Sequence, residues 1–181
     1  LDIKLQPILS RYRNILKNSF SLVQDMEVLN IPERTKIRLT TADVESLYPN
    51  INIDLMMSLI TRLTPEYTSV ARFVLEKAYV KYNNKTYLQL NGIAMGTNCA
   101  VSLANLFLAE YLDYHVSACK QVLYYGRFID DLFIIWTGTD REYTSFTDRC
   151  NNLIPGIKMT WTNPSNQVDF LDITVYYSDL N

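Results

Sequence analysis

The chain has 181 residues, 48% of them hydrophobic and 20% charged, which fits a folded chain with its own core and excludes a disordered tail. Five glycines and six prolines exclude collagen-like and proline-rich classes. Seventeen Lys and Arg against nineteen Asp and Glu leave a net charge of −2, too acidic for a stand-alone nucleic-acid clamp but compatible with an enzyme core that handles nucleic acid locally.

Cys99, Cys119 and Cys150 are odd in number and far apart, and His115 is the single histidine. A disulfide scaffold and a Cys/His zinc site are therefore not expected, and the thiols fit a reducing compartment. No run of 18 apolar residues predicts a membrane helix. The chain begins at Leu1 without a signal-peptide pattern and reads as a piece of a longer protein.

Apolar residues recur at helical spacing through 2–29 and predict one or two helices, with Pro7 tolerable only near a helix start. A strand is expected over 36–42, leading into Asp43, and Tyr48-Pro49-Asn50 signals a turn. A helix is predicted over 53–63. A second should start at Thr64-Pro65-Glu66 and run to about Tyr82. Asn83-Asn84-Lys85 turns the chain into a strand over 86–90, and Gly92 and Gly96 mark a loop. A long helix follows over 99–117, then a β-hairpin from 122–128 and 132–136 with Asp130 and Asp131 at its tip. A helix over 140–152 and strands over 157–162 and 168–177 complete the chain. The order predicts an α+β fold, an antiparallel sheet with helices packed on one face.

Three segments carry chemistry. Asp130-Asp131 lies between Arg127-Phe128-Ile129 and Leu132-Phe133-Ile134-Ile135-Trp136. Two adjacent carboxylates in an apolar run repel each other and are costly to desolvate unless a cation compensates them. A hard divalent ion is their natural partner. Asp43, at a strand end, is placed to add a further carboxylate. Asn91-Gly92-Ile93-Ala94-Met95-Gly96-Thr97 opens a helix with two glycines four apart, which let a backbone, base or sugar approach closely. It lacks the lysine of a P-loop and the third glycine of a dinucleotide fingerprint.

Together, in this order, these segments resemble the palm of reverse transcriptases, most closely those of Penelope-like retroelements. Asp43-Val44-Glu45-Ser46-Leu47-Tyr48 is similar to motif A. Asn91 to Thr97 with Ala104-Asn105-Leu106-Phe107-Leu108 is similar to motif B, and Arg127-Phe128-Ile129-Asp130-Asp131 to motif C. Val168-Asp169-Phe170-Leu171-Asp172-Ile173-Thr174-Val175 is similar to the primer-grip strand pair. Phe128 stands where the family usually has Tyr, and Val101 where motif B usually has Pro.

The resemblance implies an RNA-directed DNA polymerase core, with a helical lead-in over 1–35, palm motifs over 36–163 and a primer-grip hairpin over 164–181. Asp43, Asp130 and Asp131 would be catalytic. With the Val44 carbonyl they would hold two Mg²⁺ ions, for which Mn²⁺ can substitute, that activate the primer 3′-hydroxyl and neutralise the triphosphate. Tyr48, Gly92, Met95, Gly96 and Lys158 would contact the nucleotide, Tyr48 by crowding the sugar 2′ carbon. Phe128, Phe170, Leu171 and Asp172 would contact the primer. The implied partners are an RNA template, a DNA primer and deoxynucleoside triphosphates, and the implied location is the nucleus. A thumb and a GIY-YIG endonuclease would lie outside these residues. The alternative is a catalytically silent palm that binds nucleic acid or protein.

Overall fold

The computed structural model describes residues 1–177. In chain order they form α1 (Asp2–Leu9), α2 (Ser19–Val28), β1 (Arg38–Val44), α3 (Leu47–Asn50) and α4 (Ile53–Leu63). A 3₁₀ turn (Pro65–Tyr67) leads to α5 (Thr68–Glu76), β2 (Tyr79–Tyr82) and β3 (Lys85–Leu88). Then come α6 (Ala100–Leu108), a π-helical turn (Ala109–Asp113) and α7 (Tyr114–Ser117). β4 (Val122–Phe128), β5 (Asp131–Trp136), α8 (Asp140–Asn151), β6 (Met159–Trp161), β7 (Gln167–Phe170) and β8 (Ile173–Tyr176) follow. The fold is α+β, and the named strands pair antiparallel.

The described residues divide into two compact units, one of residues 1–12 and 46–110, the other of 13–45 and 111–177. In the first, α6 is buried along nearly its whole length, from Ala100 to Leu108, and α1 packs on it through Leu5 and Leu9. The amphipathic α4 turns Met56, Met57, Leu59 and Ile60 inward, and α5 adds Ala71 and Leu75. Polar contacts tie the ends: Gln6 donates to the Ser102 hydroxyl at 3.0 Å, and Glu110 takes Arg62 at 2.6 Å as well as the Tyr12 hydroxyl.

In the second unit the sheet order is β4-β5-β1-β6. β5 reads Asp-Leu-Phe-Ile-Ile-Trp and is buried on both faces, as a continuous apolar strand must be. Phe133 and Ile135 join Leu16, Leu22, Ile37, Leu39, Val168 and Phe170 on one side, a core contributed by α2 and β7 as well as the sheet. On the other side Trp136 packs on Tyr143 and Phe146 of α8, and Phe146 on Trp161, with ring centroids 5.2–5.4 Å apart. The expectation of helices on one face is thus corrected. The unbroken apolar run from Leu132 to Trp136 leaves neither face of β5 for solvent.

Other departures have local causes. The 2–29 periodicity is two helices, and Pro7 lies inside the first, on an exposed position near its end. The helix expected to reach Tyr82 stops at Glu76, and Tyr79–Tyr82 is instead a strand paired with Lys85–Leu88. Asn83 and Asn84, at φ 46 and 58, make the two-residue turn with both central residues left-handed that closes such hairpins. The 48–50 turn is one helical turn, α3. The 99–117 helix is broken by the π-helical turn. Strand 168–177 is two strands, β7 and β8, turning at Leu171 with φ 53, and residues 178–181 of the expected grip lie outside those described.

Candidate active site

β1 lies between β5 and β6, and the register sets Asp43 directly opposite Asp131 on one side and Thr160 on the other. Directly opposed residues of an antiparallel pair project to the same face, with Cβ atoms about 5 Å apart. That face is the one carrying Phe133 and Ile135, because Asp131 is two and four residues before them. The two carboxylates therefore sit at the end of an apolar floor, with Phe128 of β4 opposite Asp131 on its far side.

The hairpin turn differs by one residue from the expected one. Ile129 and Asp130 form it, and Asp131 is the first residue of β5. Ile129 takes φ 52, an uncommon conformation for a β-branched residue. Such a conformation costs of order 1–3 kcal/mol and persists only where the surroundings impose it. They do so here through backbone and side chain. The Asp130 carbonyl accepts from Val44 N–H at 3.0 Å, pinning the turn to β1. The Ile129 carbonyl accepts from Arg127 Nη1 at 2.8 Å.

Arg127 is fully buried and is held in turn by Asp113, 4% exposed, through Nε to Oδ1 at 2.9 Å and Nη2 to Oδ2 at 2.8 Å. Tyr125 donates to Asp113 Oδ1 at 2.7 Å and Asn14 to Oδ2 at 2.6 Å, so both carboxylate oxygens are satisfied. Burial and this carboxylate drive the Tyr125 hydroxyl well above its usual range, so it stays protonated and keeps its proton for Asp113. Arg127 backbone is also gripped, its N–H by Asn14 carbonyl and its carbonyl by Leu16 N–H, each at 2.7 Å. Asp113 is the site residue that sequence reasoning missed. Its signal was an arginine inside an apolar strand, which demands a buried acid, but the sequence does not show which acid answers.

Partial burial, then Asp130 and then Glu45 raise the Asp43 carboxyl above the usual carboxylate range. Asp131 is raised by burial, then by Asp130 and Asp43. Three carboxylates thus feel one another, and none is ion-paired among the described residues. The described residues hold no ready-made cage of three or more His, Cys, Asp or Glu side chains. The donor set is a facing carboxylate pair with a third acid beside it. That set suits Mg²⁺, which binds through one or two carboxylates together with water and substrate phosphates rather than in an all-protein cage.

Lys158 precedes β6 and is exposed, its ammonium donating to the Asn151 carbonyl at the end of α8 at 2.7 Å and its carbonyl accepting from Glu45 N–H at 2.9 Å. Of the expected primer contacts, Phe170 is 3% exposed and packs edge-on to Phe133 with centroids 5.6 Å apart, so it belongs to the core. Leu171 and Asp172 are exposed at the β7–β8 turn.

Tyr48, Gly92, Met95 and Gly96 belong to the first unit. There Ile93 N–H donates to the Tyr48 carbonyl at 2.8 Å. Gly92, at φ 71, lies so close to Tyr48 and Pro49 that a Cβ would meet Pro49 Cα at 2.4 Å and both carbonyl oxygens at 2.5 Å. Gly96, at φ 90, faces open space, and Met95 is 77% exposed. No helix among the described residues is long and apolar enough to cross a membrane.

No family model and no curated protein matches the sequence. Solved structures do match the fold. The apo telomerase of Candida tropicalis superposes with a TM-score of 0.72 at 12% identity, over 95% of this chain and 38% of that one. The same enzyme truncated from its C-terminal domain gives 0.70 at 12% identity, over 95% and 42%. The telomerase of Candida albicans, in complex with a TWJ fragment of telomeric RNA, gives 0.68 at 13%, over 99% and 37%. The chain spans about two-fifths of the length of these proteins. At such identity the likeness establishes the fold: these residues adopt an α+β architecture shared with telomerase, a reverse-transcriptase-related enzyme.

Proposed function

We propose that the chain is the palm-containing core of an RNA-directed DNA polymerase of the Penelope-like kind, which adds deoxynucleotides to a primer 3′-hydroxyl on an RNA template. The observation that carries this reading is the register of β1 on β5, which faces Asp43 with Asp131 and pins Asp130 in the adjoining turn. The fold shared with telomerase supports it.

Asp43, Asp130 and Asp131, with the Val44 carbonyl, would hold Mg²⁺ in this reading. When bound, the metal supplies charge neutralisation for the triphosphate and acidity for the attacking hydroxyl. The chain's own part is positioning. β1 and β5 hold two carboxylates on a rigid sheet, and Arg127 and Val44 fix the turn that carries the third. Mutual repulsion and partial burial keep these acids in want of a cation. Tyr48, Gly92, Met95, Gly96 and Lys158 serve the incoming nucleotide in the same reading, and Phe128, Leu171 and Asp172 the primer. The partners are RNA template, DNA primer and deoxynucleoside triphosphates, and the site of action is the nucleus.

The test is template-directed primer extension by the longest chain containing these residues, with Mg²⁺ or Mn²⁺ and with Asp130→Asn in parallel. A neutral amide cannot replace a carboxylate beside a divalent cation, so Asp130→Asn is expected to lower extension by at least about a hundredfold. Extension at the unsubstituted rate would refute the assignment of the carboxylates. Absence of extension from the complete protein would move the fold to a silent palm that binds nucleic acid or protein.

A further inference from the structure

The β2–β3 hairpin stands apart in character from the rest of the first unit. All eight residues of its two strands are exposed. From Lys77 to Ala109 the sequence has Lys77, Lys81 and Lys85 and no Asp or Glu, within a chain whose acids outnumber its bases. The register pairs Val80 with Tyr87 and Tyr82 with Lys85, so these four side chains share one face. Tyr79, Lys81, Thr86 and Leu88 share the other. On the first face Tyr82 is 75% exposed and Tyr87 47%, and they are diagonal neighbours across the ladder, about 7–8 Å apart.

A two-stranded ribbon with both faces in water is marginal by itself, and large exposed aromatic rings mark a surface meant for a partner. The chemistry selects the partner. Rings with a lysine beside them, in a stretch of sequence without acids, suit a polyanion that also presents flat, unstacked faces. That is a single-stranded nucleic acid, recognised by stacking on aromatic rings and by a cation tracking the backbone. A duplex hides its base faces, and an acidic protein has none.

We propose that the Val80–Tyr82–Lys85–Tyr87 face binds single-stranded nucleic acid, two bases stacking on Tyr82 and Tyr87 while the Lys85 ammonium meets a phosphate. This deepens the polymerase reading by giving the unpaired strand a place on the protein, and it rests on that reading only for the identity of the strand.

The test uses the full chain and a fluorescein-labelled oligouridylate of about a dozen nucleotides, followed by anisotropy over a range of salt. A duplex of equal length is the comparison. The oligouridylate is expected to bind more tightly than the duplex. Tyr82→Ala with Tyr87→Ala is expected to weaken binding by about tenfold or more, and Phe at both positions to retain it, because stacking needs the ring and not the hydroxyl. Tyr79→Ala removes the one aromatic ring from the opposite face of the same hairpin and is expected to change affinity by less than about twofold. Lys85→Gln should lower the slope of log K against log salt by about 0.7.

Absence of oligouridylate binding, or equal losses on the two faces, would overturn the assignment. Self-association abolished by the Tyr82/Tyr87 alanine pair, without RNA binding, would overturn it in favour of a protein partner. Primer extension separates the two readings. Extension together with unaltered binding by the hairpin variants overturns the hairpin alone. Hairpin-dependent binding by a complete protein that does not extend primers overturns the polymerase alone.

Discussion

Gly92 and Gly96 look alike in the sequence, yet the structure gives them different work. Both have positive φ, 71 and 90. Alanine at either pays the left-handed penalty of about 1–2 kcal/mol, partly offset by the stiffer unfolded chain. Only at Gly92 does a Cβ run into backbone, at 2.4 Å from Pro49 Cα and 2.5 Å from the Tyr48 and Pro49 carbonyl oxygens, about 1 Å inside ordinary contact. None of these atoms is the free end of a side chain, so the strands of chain must separate. The Ile93 N–H to Tyr48 carbonyl bond, at 2.8 Å, is next to the clash and is strained with it. Overpacking of this kind adds about 2–3 kcal/mol, giving about 3–4 for Gly92→Ala against about 1 for Gly96→Ala. The first is a large part of a typical folding free energy. Urea denaturation followed by far-ultraviolet circular dichroism compares the midpoints. Equal midpoints would refute the steric argument. Unchanged stability in Gly92→Ala with lost nucleotide addition would make the nucleotide contact, and not the close approach to Pro49, the reason for glycine there.

Two further outcomes are expected. Arg127→Met strands the carboxylate of Asp113, 4% exposed, and should cost about 3–5 kcal/mol in denaturant unfolding, whereas adding Asp113→Leu should recover a large part of it. A double variant as unstable as the single would show that the pair is not the source of the cost. Burial pushes the Cys150 thiol up to about 12, while an unfolded cysteine ionises near 8.5. Above that lower value the unfolded chain has lost a proton that the folded chain keeps, so stability should fall as pH rises from about 8.5 towards 12. Cys150→Ala should flatten this part of the profile. Iodoacetamide at mildly alkaline pH should reach half-exposed Cys119 well before buried Cys150, and simultaneous labelling would contradict the burial.

The α+β class and the central hairpin were legible because the apolar runs on either side of Asp130-Asp131 are strand-like and long. Register was not. Arg127-Phe128-Ile129-Asp130-Asp131-Leu132 contains no glycine or asparagine, the residues that normally mark a two-residue turn, and a slip of one residue exchanges the two faces of a strand. The turn falls at Ile129 and Asp130 because buried Arg127 holds the Ile129 carbonyl and Asp113 holds Arg127. That cause lies fourteen residues upstream and is tertiary. The sequence of β2 reads as helix for a similar reason. The apolar spacing of α5 continues into Tyr79 and Val80, and only pairing across Asn83-Asn84 overrides it.

The register is also what gives the acidic dipeptide its chemical meaning. Adjacent acids within one strand would point to opposite faces, and only one could meet Asp43. With Asp130 in the turn, Asp131 is free to take the strand position facing Asp43. Asp130, pinned by its carbonyl to Val44 N–H, stays close enough to raise both of the others. The strain at Ile129 is what this placement costs, and it is incurred where three acids are brought together with no ion-pair partner among the described residues. A turn with a glycine at position 129 would reach the same register without strain. That this chain instead uses a β-branched residue clamped by a buried arginine argues that rigidity of the acidic turn, and not ease of turning, is what the local structure provides.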